Sequence, residues 1–347
     1  MRIAQIAPLF EAVPPKLYGG TERVVHWLTE GLVDLGHDVT LFASGDSETS
    51  ATLVPCWPQA LRLNPVIDWN ATYAMLIETV ARRAHEFDVL HFHIDYWPNS
   101  VFMRLGIPFV TTMHGRLDLP LFVQTFNFFK DVPQVSISNN QRTPVPNLNW
   151  AGTVYHGMPA DLLTPLPNGG QGNYFAFLGR ISPEKRVDRA IEIAGATGRE
   201  LKIAAKIDRA DQDYFDREIA HLFTQPHVNY IGEINDVQKV PFLANATALL
   251  VPIDWEEPFG LVMIEAMATG TPVIAFRRGS VPEVIDDGVT GFIVDTMEQA
   301  IAAAKRVHTL DRAKVRARFE ERFTNRRMAG DYVAIYQTLI DQKAAKA

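Results

Sequence analysis

Trp255-Glu256-Glu257-Pro258-Phe259-Gly260-Leu261-Val262-Met263-Ile264-Glu265-Ala266-Met267-Ala268-Thr269-Gly270-Thr271-Pro272-Val273-Ile274 writes a loop, a short helix and the start of a strand in one line. Pro258 and Gly260 interrupt any regular structure before them. Leu261 to Ala268 has helical composition, and Gly270 suits the left-handed residue that follows a helix. No Ser, Thr, Asp or Asn stands immediately before Leu261. The first N–H groups of the helix therefore lack a side-chain cap and are free, with the helix dipole behind them, to bind a phosphate. Glu265 lies four residues beyond Leu261, and helical side chains lean toward the N-terminus, so its carboxylate approaches whatever those amides hold. A carboxylate does not bind phosphate; it accepts hydrogen bonds from hydroxyls, for which the ribose of a nucleotide is the obvious source. Glu257, in the loop before the helix, is left for a second hydroxylated group across the phosphates. The plainer reading is a solvated Glu257 and a capping Glu265.

Outward from this segment, apolar runs and amphipathic stretches alternate. In the first half they fall at Arg2 to Ala7, Glu22 to Leu35, Asp38 to Ser44, Met75 to His85, Asp88 to Phe92 and Phe109 to Met113, with further strands expected at Val135 to Ser138 and Thr153 to His156. Alternation of strand and helix signals predicts a parallel sheet wrapped by helices. From Pro159 to Asn173 prolines and glycines crowd together and the periodicity is lost, which marks a linker. A second series follows, with strands at Tyr174 to Leu178, Leu201 to Ala205, Val228 to Ile231, Ala248 to Val251 and Pro272 to Ala275. The fold class is therefore α/β with two doubly wound Rossmann-like domains, 1–160 and 161–325, and a last helix from about 326 to 347. Open sheets of this kind bind ligands beyond the carboxyl ends of their strands, where motifs are to be sought.

After the strand Tyr174 to Leu178 comes Gly179-Arg180-Ile181-Ser182-Pro183-Glu184-Lys185, then a helix over Val187 to Ala196. Ser182 before Pro183 reads as a helix start. Arg180 and Lys185 project from one loop and suit a diphosphate, the first as a planar fork and the second as a point charge. Near the start, Pro14-Pro15-Lys16-Leu17-Tyr18-Gly19-Gly20-Thr21-Glu22 joins the first strand to its helix. Gly19 and Gly20 let backbone amides approach a ligand oxygen, although the dinucleotide pattern G-x-G-x-x-G is absent. His114 closes the strand ending Thr111-Thr112-Met113.

Two patterns invite a metal. His91-x-His93-x-Asp95 puts three possible ligands on one strand face, and Asp211-Gln212-Asp213 carries the Asp-x-Asp spacing that can hold a metal with a diphosphate. The aspartates open a helix over Tyr214 to Phe223, where acidic residues complement the dipole. No metal site is assigned. The aromatic segment Leu119 to Lys130 reads first as an element packed on the core, and second as a lining for an acceptor or a membrane contact. With 10 Lys and Arg against 14 Asp and Glu in the first 160 residues, attraction to anionic lipid is weak.

The string Glu257 to Ile274 resembles the E-x7-E signature of family 4 glycosyltransferases, retaining enzymes of the two-domain GT-B fold. The resemblance implies that the two domains face each other across a cleft, that Glu257 lies by the donor sugar and that Glu265 holds the nucleotide ribose. It further implies that Phe259, Gly260, Leu261 and Val262 line the donor. Gly179-Arg180 to Lys185 is similar to the family's diphosphate clamp, Gly19 and Gly20 to its donor-facing glycine loop, and His114 to a histidine that hydrogen-bonds the donor sugar. In the family the terminal helix crosses back to the first domain. Ala205 and His156 stand where many members have Gly and Asn, and the chain is short for the family.

Composition narrows the remaining choices. A length of 347 residues is comfortable for two domains, and 47% hydrophobic with 21% charged residues is ordinary for a globular chain. The net charge of −7 argues against a nucleic-acid partner. A single cysteine, Cys56, fits a reducing compartment, and the apolar run at the N-terminus is too short for a signal sequence, so a cytoplasmic protein is expected, peripheral to the inner face of the membrane if it binds there at all. The expected function is metal-independent, cofactor-free retaining transfer of a sugar from a nucleotide diphosphate sugar, UDP-sugar favoured, to a saccharide, lipid-linked or small-molecule acceptor. The rivals are a UDP-sugar epimerase of similar fold and a non-catalytic sugar-nucleotide binder.

Overall fold

The computed structural model describes residues 1–16, 19–62, 64–167, 170 and 172–345. The chain divides into two compact units, one formed by Met1–Met158 with Thr324–Ala347 and the other by Pro159–Phe323.

In the first unit β1 (Arg2–Ile6), α1 (Gly20–Asp34), β2 (Asp38–Ser44), β3 (Thr52–Trp57), α2 (Trp69–Arg83), β4 (Val89–Phe92), α3 (Asn99–Leu105), β5 (Phe109–Thr112), α4 (Pro120–Phe128), β6 (Gln134–Ser136) and β7 (Trp150–Thr153) follow one another. All seven strands are parallel, in the order β3-β2-β1-β4-β5-β6-β7. The central strands are buried end to end because helices cover both faces, which is why they read as apolar runs without alternation. A core of Ile6, Phe42, Leu76, Phe92 and Phe102 fills one side.

In the second unit β8 (Tyr174–Arg180), α5 (Val187–Thr197), β9 (Glu200–Lys206), the single turn α6 (Gln212–Tyr214), β10 (Val228–Gly232), α7 (Asp236–Ala244), β11 (Ala248–Val251), α8 (Leu261–Ala268), β12 (Val273–Phe276), α9 (Val281–Val284), β13 (Gly291–Val294), α10 (Met297–Arg306) and α11 (Arg312–Arg322) build a parallel sheet ordered β10-β9-β8-β11-β12-β13. Phe175, Ile191, Ile203, Leu250, Ile274 and Ala303 meet in its core. The last helix, α12 (Asn325–Ala344), belongs to the first unit, where Tyr332 and Tyr336 are fully buried beside β4.

Several elements differ from the sequence expectation. The strand placed at Thr153 to His156 lies at Trp150–Thr153, because its register pairs Gln134 with Trp150 and Ser136 with Thr153. Ser182 does not start a helix. Its carbonyl accepts the Lys185 amide at 3.1 Å to close a turn, and α5 begins after Arg186, whose backbone is left-handed. The expected helix over Tyr214 to Phe223 is a wide π turn over Phe215–Ile219 and a 3-10 turn over Ala220–Thr224. Leu119 to Lys130 contains α4, with Phe126 packed on Met113, Leu117 and Leu148 while Leu121 and Phe128 are exposed. Among the described residues no helix is long and apolar enough to cross a membrane.

Candidate active site

Strand order reverses between β8 and β11 in the second unit, so the loops leaving their carboxyl ends diverge and open a crevice between them. Those two loops carry Arg180 and Lys185 on one side and Glu257 with the start of α8 on the other. The Asp254 amide donates to the Glu184 carbonyl at 2.9 Å, stitching loop to loop through the backbone. The Asp254 carboxylate receives Arg186 at 3.2 Å, Arg189 at 3.0 Å and Arg278 at 3.3 Å. Desolvation pushes this acid up, but the three guanidiniums prevail and hold it below its ordinary value.

Lys185 forms an ion pair with Glu257 and lies 5.0 Å from the centroid of the Trp255 ring, whose indole N–H donates to the same Glu257 oxygen at 3.2 Å. Arg180 donates to Glu184 at 2.5 Å and sits 3.4 Å from Asp211. The two cations are thus half-buried and compensated, where sequence reading had them as bare loop charges. Asp211, one of the pair weighed as a metal motif, is the partner of Arg180. Burial raises its carboxyl above the ordinary value despite that cation.

Helix α8 starts from Gly260, whose φ of 81° and ψ of 71° are left-handed, and no side chain caps it. A Cβ there would meet the Met263 methyl at 2.7 Å, so glycine is what the turn admits. Phe259 is buried against Phe323, and its carbonyl accepts the Ser280 hydroxyl at 2.7 Å. Leu261 and Val262 supply the leading amides of the helix. Glu265 does not cap the helix. It is 4% exposed, and one oxygen accepts from Lys239 of α7 at 2.7 Å while the other takes no hydrogen bond among the described residues. Lys239 is in turn 3.3 Å from Asp236.

Three supports escaped the sequence reading. Glu256 accepts the Gly279 amide at 2.8 Å, the Glu257 carbonyl accepts the Ser280 amide at 2.9 Å, and Lys239 holds Glu265. The first two join the loop after β11 to the loop after β12. The adjacent pair Glu256-Glu257 was the available signal for a second carboxylate with a structural task. For Lys239, the capping box Asn235 to Gln238 that opens α7 marked the helix but not the direction of its lysine.

In the first unit the order reverses between β1 and β4. Gly19 precedes α1 and Gly20 opens it; Leu17 and Tyr18 of the same motif lie outside the described residues. Glu22, in the first turn, is buried, and that desolvation, reinforced by nearby Glu11, pushes its carboxyl up to about 7. Glu11 pairs with Arg62. His114 follows β5, and its Nε2 lies 2.8 Å from His93 Nδ1 while its ring stacks on His156 at 5.3 Å. Desolvation drives the His114 imidazole down to about 3. His91 and His93 are fully engaged in hydrogen bonds, and among the described residues no group of three or more metal-ligating side chains could hold an ion.

These features can be set beside known proteins. The family profile "Glycosyl transferases group 1" matches residues 164–326 and that of "Glycosyltransferase Family 4" matches residues 18–144, together more than four-fifths of the chain. A phosphatidyl-myo-inositol mannosyltransferase of Mycolicibacterium smegmatis is 26% identical over 364 aligned positions, spanning 94% of this chain and 89% of that protein. Among solved structures, AviGT4, a glycosyltransferase involved in avilamycin A biosynthesis, superposes with a TM-score of 0.73 at 23% identity over 98% of both chains. Anabaena HepE, crystallised with UDP and glucose, superposes with a TM-score of 0.75 at 16% identity over 97% of this chain and 100% of its own. The architecture is that of GT-B glycosyltransferases, two doubly wound α/β units. With both halves matched to glycosyltransferase profiles and an aligned relative along nearly the whole length, this chain belongs to the family 4 glycosyltransferases.

Proposed function

We propose that this enzyme moves a sugar from a nucleoside diphosphate sugar, a UDP-sugar in the first instance, to a hydroxylated acceptor with retention at the anomeric carbon and without a divalent metal. The observation that carries this reading is the meeting of cations, uncapped helix amides and two carboxylates at the ends of β8 and β11. The amides of Leu261 and Val262 take a phosphate, with Phe259 and Gly260 shaping the approach. Arg180 and Lys185 take the charge of the diphosphate. An ammonium has three donors, so Lys185 can reach a phosphate oxygen without releasing Glu257. Glu265 accepts from ribose hydroxyls with the oxygen that Lys239 leaves unused, and Glu257 faces a sugar hydroxyl. The assignment of His114 to the donor sugar, and of Gly19 and Gly20 to the donor phosphates, is supported by the resemblance of their motifs.

In the chemical step the acceptor oxygen bonds to the anomeric carbon on the face from which the diphosphate departs, and the carbon–oxygen bond to phosphate breaks. The acceptor proton passes to a departing phosphate oxygen, while the cations and amides hold the developing charge. This differs from double displacement, which requires a carboxylate nucleophile beneath the anomeric carbon.

The mannosyltransferase relatives and the UDP-bound neighbour define the reagents to try. Nucleoside diphosphate release from UDP-glucose, UDP-galactose, GDP-mannose and ADP-glucose is measured in EDTA, with phosphatidylinositol or simple saccharides as acceptors. The expected result is acceptor-dependent release from one donor, an α-linked product from an α-linked donor by NMR, and a loss of about 10²–10³ in turnover for Lys185→Ala. Activity only with added manganese or magnesium would overturn metal independence, and an inverted linkage would overturn retention. An epimerised sugar nucleotide formed without acceptor would move the protein to the epimerase class.

A further inference from the structure

The first unit contains a buried polar chain that ends at His114. Gln5 on β1 and His91 on β4 are register partners, and His93 lies two residues on, sharing a strand face with His91. Tyr332 and Tyr336 of α12 cover that face, with ring centroids 4.7 Å and 5.6 Å from His91. Gln5, His91, Thr112, Tyr332 and Tyr336 are at most 1% exposed, and His93 is 4% exposed. A polar group buried so deeply is costly unless each donor meets an acceptor, so the orientation of the Gln5 amide fixes the direction of the links to both histidines.

The Gln5 side-chain N–H donates to the Tyr336 hydroxyl at 3.0 Å, which turns the Gln5 carbonyl oxygen toward His93 Nε2 at 2.8 Å. A carbonyl oxygen only accepts, so His93 carries its proton on Nε2. Burial, reinforced by neighbouring imidazoles, holds His93 far below the ordinary histidine range, so the ring is neutral and its Nδ1 is a lone pair. The partner of that lone pair is His114 Nε2 at 2.8 Å, which must therefore be the N–H. The other branch agrees. Tyr336 accepts from Gln5 and donates its hydroxyl hydrogen to His91 Nδ1 at 2.7 Å; His91 Nε2–H donates to Thr112 at 2.7 Å, and the Thr112 and Tyr332 hydroxyls share a hydrogen bond at 2.8 Å. Turning the Gln5 amide by half a rotation would reverse all of these links together. His114 Nδ1, the free end, is buried and has no hydrogen-bond partner among the described residues.

We infer that Gln5 and His93 are positioning residues that lock His114 as the neutral Nε2–H tautomer, so that its Nδ1 meets a ligand only as a hydrogen-bond acceptor. His114 then accepts a hydrogen bond from a ligand hydroxyl and orients it, and its Nδ1 has no proton to give a leaving group. That the hydroxyl belongs to a sugar rests on the transferase reading; the tautomer does not.

The test is nitrogen NMR of the full-length protein labelled with ¹⁵N-histidine, without substrate, the His114 signals being identified by their loss in His114→Ala. A pyrrole-type Nε2 and a pyridine-type Nδ1 are expected. A proton on Nδ1, or an imidazolium, would overturn the inference from the unmutated protein alone. In Gln5→Leu nothing fixes His93, and the His114 signals should move to a mixture of both tautomers; a His114 spectrum unchanged by that substitution would overturn the relay. A protein with the expected tautomer but no transferase activity would sink the functional reading and leave the relay standing.

Discussion

Glu22 sits 6% exposed in the first turn of α1, with the Glu11–Arg62 pair beside it. Its folded carboxyl is raised to about 7 from an ordinary 4.5, chiefly by desolvation. The sign follows from the direction. A raised acid favours the folded state fully below about 4.5, and that contribution is lost as pH climbs through about 7. Glu22→Gln keeps the shape and removes the titration, so it should stabilise the first unit at pH 8 by about 3 kcal/mol and leave it nearly unchanged at pH 4.5. Thermal unfolding at the two pH values decides it; an equal shift at both would refute the buried-acid account. Glu22 stood in plain view in the glycine-loop motif, yet it lies near Glu11 and Tyr73, which the sequence does not join to it. The same holds for the site cations. Type and spacing marked Arg180 and Lys185, with Glu184 beside Arg180 in the same motif, but their other carboxylate partners lie at Asp211 and Glu257, across loops whose meeting only strand order determines.

At the scale of elements, the loop holding Glu257 is built against the loop after β12. Gly279 has φ of 53°, and a Cβ there would fall 2.3 Å from the Glu257 carbonyl oxygen and 2.4 Å from its nitrogen. Backbone cannot yield as a flexible side chain can, so Gly279→Ala must displace Glu257 itself. Misplacing a substrate-positioning group by about 1 Å costs on the order of 10² in rate, so on the role proposed for Glu257 turnover should fall by about that factor while the cores keep their packing. Measured kcat beside circular dichroism separates the two, and an unimpaired kcat would show that the loop position is not critical. Elements buried on both faces were the most legible, since β1, β2, β4, β5, β8, β9, β11 and β12 announce themselves as apolar runs. Among the edge strands, the exposed β10 was found as well, but β3 and β13 were not. Strand β3 carries Pro55, tolerable at an edge but misleading in a sequence, and β13 opens on Gly291, whose missing Cβ admits the Val273 backbone. The π turn after Tyr214 arises from tertiary packing that helical propensity does not encode.

For the molecule as a whole, the discontinuity of the first unit carries the sharpest consequence. Residues 324–347 complete a unit whose other part ended at Met158. The apolar spacing of Tyr332, Ile335, Tyr336 and Leu339 marked α12 as a helix, but nothing in it named Gln5 or His91 as partners of its hydroxyls. The Asn325 amide donates to the Met158 carbonyl at 2.9 Å, and Arg327 reaches the carbonyls of Tyr155 and His156 at 2.6 Å and 3.1 Å. Met328 and Ala329 are fully buried with the two tyrosines. Loss of a buried aromatic side chain costs about 3–5 kcal/mol, so losing both tyrosines alone approaches the roughly 5–15 kcal/mol that holds a domain folded. The polar groups left on β1, β4 and β5 would add to the loss. Ending the chain at Phe323 should therefore unfold the first unit while sparing the second, whose main core draws only on residues between Phe175 and Leu310. Hydrogen exchange read by mass spectrometry should show protection lost along β1, β4 and β5 and retained along β8, β9 and β11. Persistent protection of β1 and β4 without α12 would mean that the first 158 residues hold their sheet unaided, and that Tyr332 and Tyr336 serve the polar chain to His114 rather than the stability of the fold.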